Sequence, residues 1–206
     1  MALKHSHPLS LLALVVANLS PLIGLLLFGW EVTAIVFLYW LENLVVGVWN
    51  ILRMKKARGT GARLDFTIND RPATALDRKT LIKFFVVHYG AFTAGHGLFV
   101  LLLFGIPQGG FSWILVSLGL LFASHGVSYV KNFIQGGEYL TASPHDLFLQ
   151  PYRRVVVLHL VVIFCGFWLQ MAGGAAITVV FMVAIKLGID LVAHLFERRK
   201  LMARAG

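Results

Sequence analysis

Three ionisable side chains stand four residues apart in the apolar stretch "AIKLGIDLVAHLFERRK", residues 184–200. On a helix Lys186, Asp190 and His194 share one face, and Glu197 joins them a turn later. A charged residue at the centre of a lipid-embedded helix costs on the order of 2.5–3.5 kcal/mol, so such groups need partners or a ligand. Imidazole and carboxylate together suit zinc or iron, and Asp-x-x-x-His offers both donors from one side of a helix.

Other apolar segments carry similar stripes. "YWLENLVVGVWN" places Tyr39, Glu42, Asn43 and Asn50 within about 100° of a helix circumference. "HYGAFTAGHG" contributes His88 and His96. "SHGVSYVKN" aligns His125, Ser128, Tyr129 and Asn132, and "PYRRVVVLH" ends in His159. Counting 1.5 Å per residue from each basic end, His88, His125, His159 and Asp190 come out roughly 8–11 Å inside the bilayer, and His194 roughly 5 Å.

The expectation is an intramembrane site in which His88, His125, His159, Asp190 and His194 hold one or two metal ions, zinc or iron. Glu42 or Glu138 would supply a further ligand or a general base. Asn43, Ser128, Tyr129, Asn132 and Lys186 would orient the ligands from behind. A hydrophobic, lipid-like substrate would reach such a site from the bilayer, for metal-assisted hydrolysis with zinc or oxidation with iron. Two other chemistries use the same residues: a b-type haem clamped by histidines of facing helices, and a proton- or ion-coupled path in which Lys186 pairs with Asp190 or Glu42. His96, between Gly95 and Gly97, reads as a helix-packing residue. Neither G-x-S-x-G nor H-E-x-x-H occurs, and Ser112 in "GGFSW" sits at the outer end of a span, away from the histidines, so serine-protease and zincin chemistry are disfavoured.

The elements that must position these residues are long and apolar. Of 206 residues 58% are hydrophobic and only 13% charged, about half the roughly 25% charge of a soluble domain. Stretches long enough to cross a ~30 Å hydrocarbon core lie near 9–28, 31–52, 81–105, 111–132, 154–172 and 175–196. The fold class is therefore all-α, a polytopic six-helix transmembrane bundle in one domain. The first stretch lacks a small-x-small cleavage site and reads as a retained span.

Orientation follows from Lys and Arg. Nine of the 18 basic residues lie in 53–83 and none in the connections at 29–30, 106–110 and 173–174. Both termini and the loops 53–80 and 133–153 are thus expected on the cytoplasmic side of an inner membrane. The net charge of +9 is explained as topology and contact with anionic lipid, with no nucleic-acid partner. The single cysteine, Cys165, permits no internal disulfide.

Within the two basic loops, Leu64, Phe66 and Ile68 alternate ahead of Asn69-Asp70 and predict a short strand and turn. Thr74-x-x-Asp77 predicts a helix start. Gly136-Gly137 should break the fourth span. Ser143-Pro144-x-Asp146 should open a short interfacial helix that Pro151 ends.

The segments "YWLEN" (39–43), "FFVVHYGAFTAGHG" (84–97), "SHGVSYVKNF" (124–133), "PYRRVVVLH" (151–159) and "KLGIDLVAH" (186–194) resemble those of a bacterial family of small multi-pass inner-membrane proteins known only as a domain of unknown function. The resemblance implies a six-helix membrane bundle of bacterial origin and carries no activity.

Overall fold

The computed structural model describes residues 24–25, 27, 29–60, 67–68, 70–72, 77–172, 177, 180–181 and 184–185. The chain is all-α. Helix α1 spans Val32–Lys56, α2 Arg78–Phe104 and α3 Phe111–Ser128. A π-helical segment, Tyr129–Gln135, continues α3 to the Gly136-Gly137 pair. Then come the one-turn α4, Glu138–Thr141, and the long α5, Pro144–Ala172. The extended part of loop 53–80 is a two-residue ladder, β1 (Thr67–Ile68) antiparallel to β2 (Arg71–Pro72), turned by Asp70 at φ 60°. Leu64, Phe66, Thr74, Lys186, Asp190 and His194 lie outside the described residues.

Three helical stretches, Val32–Lys56, Arg78–Phe104 and Phe111–Gln135, are long and apolar enough to cross a membrane. Their outward faces are apolar too: Leu98, Leu102, Leu115 and Leu120 are each more than half exposed. Water would not tolerate that surface; lipid tails would.

Helix α1 is the axis of the packing and touches α2, α3 and α5. Half of its apolar window is buried, against 6% for α3, which is peripheral. The seam between α1 and α2 is close because small residues face large rings. A methyl group at Gly47 would sit 2.7 Å from the Tyr89 ring, and one at Gly97 2.6 Å from the Trp40 indole. Two hydrogen bonds run along the same seam, Tyr89 Oη to Asn43 O at 2.9 Å and Trp40 Nε1 to Thr93 O at 2.8 Å.

Two apolar clusters fill the bundle. One end holds Val32, Ile35, Val36, Tyr39, Val100 and Val162, closed by the Trp30–Trp113 stack with ring centres 4.1 Å apart. The basic end holds Met54, Leu81, Phe85, Phe133, Phe148 and Val155. There Arg78 caps α1 by donating to Lys55 O (3.0 Å) and Ala57 O (2.6 Å). The amides of Arg58 and Gly59 tie to Tyr139 O and Ala142 O.

One start and one stop differ from the sequence expectation. Helix α2 begins at Arg78 with Asp77, not Thr74, at its N-cap; the nearby Thr80 hydroxyl holds the Asp77 carboxyl below its ordinary range. Ser143 does open a helix, accepting the His145 amide at 3.2 Å with Pro144 in the first turn. That helix does not stop at Pro151 but runs through it to Ala172. A proline inside a helix leaves the carbonyl four residues back without its donor. Here that carbonyl is Leu147 O, and the Asn50 side-chain amide supplies the missing hydrogen bond at 2.9 Å.

Two outcomes follow. Gly97→Ala should cost about 1–3 kcal/mol by overpacking the seam, whereas Gly95→Ala, with nothing within 4 Å of its Cβ position, should be neutral or stabilising by up to about 1 kcal/mol. Asn50→Ala should cost about 1–3 kcal/mol by orphaning Leu147 O, and much less in a Pro151→Ala background, where the helix regains its own amide. Thermal unfolding midpoints of the purified variants in detergent measure both.

Candidate functional site

Helices α2 and α5 lie side by side, and their histidines face each other in rungs. In the first rung His88 Nδ1 shares a hydrogen bond of 2.9 Å with the Tyr152 hydroxyl, and the His88 ring stacks on Phe84. In the second, His96 and His159 meet edge to face with ring centres 4.9 Å apart. The rungs are separated by eight residues on α2 and seven on α5, about 11–12 Å of helix rise.

This geometry revises the depth count. His88 and His159, expected at one level, stand on different rungs. The count for His159 began at residue 154, but α5 begins at Pro144, and His159 stands beside His96 while His88 stands beside Tyr152. His96 is the histidine that sequence reasoning assigned to packing.

The second rung is apolar on its flanks. His96 is 1% exposed, and His159 lies between Phe92 and Phe99. Neither ring nitrogen of His96 has a hydrogen-bond partner, nor has Nδ1 of His159. Two further buried atoms beside the α1–α2 seam are also unpaired, Thr93 Oγ1 and Asn43 Oδ1. An unmet buried polar group costs about 1–3 kcal/mol. Three such nitrogens stand in one contact, with two more oxygens nearby along the seam.

The remaining expected residues are dispersed. Glu42 is buried on α1, on a face shared with Val46, Trp49 and Arg53 at helical spacing. His125 lies on α3 and lines a pocket between α1, α3 and α5. Ser128 and Asn132 bond to each other at 3.3 Å on an exposed surface. Tyr129 packs on Trp49 and Phe133. Glu138 is exposed in α4, its carbonyl taken by the Thr141 hydroxyl. Among the described residues no three His, Cys, Asp or Glu side chains come together as a metal site; His96 and His159 of the second rung pack against each other as a pair.

Their spacing has a chemical meaning. Two imidazoles bound to one ion at 2.0–2.1 Å and a tetrahedral angle have ring centres roughly 5 Å apart. Two axial imidazoles on opposite faces of a haem would stand roughly 6 Å apart and leave the macrocycle between them. The observed 4.9 Å edge-to-face contact is an ordinary aromatic packing distance and lies nearer the first spacing than the second.

An α-helical bundle with apolar outer faces and a polar interior seam is the class that this fold and site define. Within it, the chain belongs to the family of unknown function DUF6498, whose model matches residues 1–205. No curated protein and no solved structure matches it.

Proposed function

We propose that this chain is an integral inner-membrane protein, six spans with both termini cytoplasmic, whose site is centred on His96 and His159 and binds a transition-metal ion, zinc or iron. The observation that carries this reading is the pair of adjacent imidazoles, His96 buried and His159 half-buried, with three buried, unpartnered nitrogens. An ion bridging one nitrogen of each ring would turn part of that penalty into coordination. Asp190 and His194 remain the candidates to complete the shell, and Glu42 the candidate base. The chemistry proposed is metal-assisted hydrolysis or oxidation of a lipid-like substrate. His88 and His125 become supporting residues in this reading, since one is committed to Tyr152 and the other lines a different pocket.

The two rungs stacked along α2 and α5 favour a second reading, a proton path running His88–Tyr152 to His96–His159 along the bundle. It predicts activity that depends on a membrane gradient and survives chelation.

Metal analysis of protein purified in detergent without chelator separates them. The metal reading expects about one zinc or iron per chain, lost in His96→Ala, in His159→Ala and in Asp190→Ala, but retained in His125→Ala. Metal-free wild-type protein, with His96→Leu/His159→Phe more stable than wild type because unpaired nitrogens are gone, would overturn it and leave the proton path or plain packing.

A further inference from the structure

A second polar feature lies at the basic end, away from the histidine rungs. Between α1, α3 and α5 a pocket of about 180 Å³ is lined by Trp49, Asn50, Arg53, His125, Gln150 and Pro151. One water needs only about 10–15 Å³, so the pocket takes a polyatomic group. No carboxylate is among its lining residues.

Two N–H donors on its lining residues lack acceptors. Trp49 and Arg53, four apart, occupy one face of α1. Neither Trp49 Nε1 nor Arg53 Nε has an acceptor, although both atoms are buried. Both side chains are fixed from behind. The Trp49 ring packs on Phe122 and Tyr129 at 5.1 and 5.3 Å. It also fits against Gly126, where a methyl group would come within 2.9 Å of it. The Arg53 guanidinium rests over the Phe133 ring at 5.6 Å. The π-helical segment carries Phe133, and Tyr129 and Phe133 stack along it. A seven-residue π-helix is uncommon and such wide turns concentrate at functional sites.

We propose that this pocket binds a phosphate-bearing anion, held by the Arg53 guanidinium and the Trp49 indole N–H, with the amide of Gln150 and the His125 ring at its wall. A fixed guanidinium beside a neutral N–H donor is the chemistry that recognises phosphate oxygens, and the absence of a lining carboxylate removes competition for the guanidinium and disfavours a cation. Asn50 gives one amide N–H to Leu147 O, and its carbonyl oxygen, an acceptor, adds nothing to anion binding. The site stands independently of the metal reading, since none of its donors belongs to the His96–His159 contact. The phosphate can arrive on a lipid headgroup or free in solution, and the pocket chemistry is the same for both.

The test uses the full chain in a neutral maltoside detergent, titrated with phosphatidylglycerol, phosphatidylcholine or inorganic phosphate. Bound lipid is read by native mass spectrometry and binding by the shift in thermal midpoint, since a ligand that binds only the folded state raises it. The expected result is one saturable anion per chain, weakened about tenfold or more in Arg53→Gln by loss of a charge-assisted bond. Trp49→Phe, which keeps the ring and removes only the donor, should weaken binding several-fold. Lys56→Gln, an exposed basic residue at the same end, should leave it unchanged. Saturation by phosphatidylglycerol with no response to phosphate assigns the ligand to a lipid headgroup; an equal response to phosphate assigns it to a free anion. If Arg53→Gln fails to fold, Trp49→Phe alone decides. Binding that is unaltered in Trp49→Phe and lowered equally by Lys56→Gln, or no saturable binding of any probe, overturns the proposal.

Discussion

Everything in this bundle depends on pairing backbone groups where no water can reach them. The sharpest instance is the hydrogen bond from Asn50 to Leu147 O. A buried carbonyl left without a donor costs about 1–3 kcal/mol, and Pro151 creates one by lacking an amide proton. The Asn50 side chain, projecting from the central helix α1, fills that gap. Because it does, α5 continues from the basic end through Pro151 and delivers His159 to the level of His96. The same bond fixes α1 against α5, so the proline that would stop an isolated helix becomes the reason two helices are registered. The Asn50–Leu147 bond, Pro151 and the polar pocket beside them are one local arrangement.

Helix α1 owes its central place to its own sequence. Glycine at 47 lets the Tyr89 ring approach, and glycine at 97 on α2 receives Trp40. Backbones brought this close gain dispersion contacts that lipid cannot supply. The cost of the tight seam is that polar side chains beside it have little freedom to find partners. Asn43 spends its amide on a long 3.5 Å contact to Tyr39 O and leaves its oxygen unmet. Thr93 donates nothing from its hydroxyl while its carbonyl accepts from Trp40. His96 and His159 are similarly confined. The unmet groups thus gather at the α1–α2–α5 junction and in the pocket against α3, the two places where a ligand would restore what packing withholds.

Much of this was legible beforehand, and the misses have identifiable causes. The apolar lengths and sparse charge announce membrane-compatible helices, and the Gly136-Gly137 pair marks where the α3 segment ends. The turn at Asp70 follows from residues that tolerate a left-handed backbone. Pro151 was read as a stop because the rule for an interior proline assumes no outside donor; the donor sits 101 residues earlier in the chain, on α1. Asn50 was recognised as part of a polar stripe, but a stripe does not say which carbonyl it serves. His96 was assigned to packing because flanking glycines explain a buried histidine well enough until a second histidine is found against it. Arg53 was counted with the loop charges that set topology, although a cation at a helix end can equally face inward.

The sequence alone determined the all-α class, the lipid-compatible outer faces, the concentration of basic charge at one end and the inventory of polar residues that must turn inward. These follow from composition, length and helical periodicity, which are local properties of a chain. Which of those residues meet was decided by the tertiary structure. The His96–His159 contact joins residues on different helices, and the Trp49–Arg53 pocket needs α1, α3 and α5 together. Such meetings depend on the order, direction and axial offset of packed helices. Those are set by small-residue seams and by one side-chain bond across a proline, and no count along a single helix contains them.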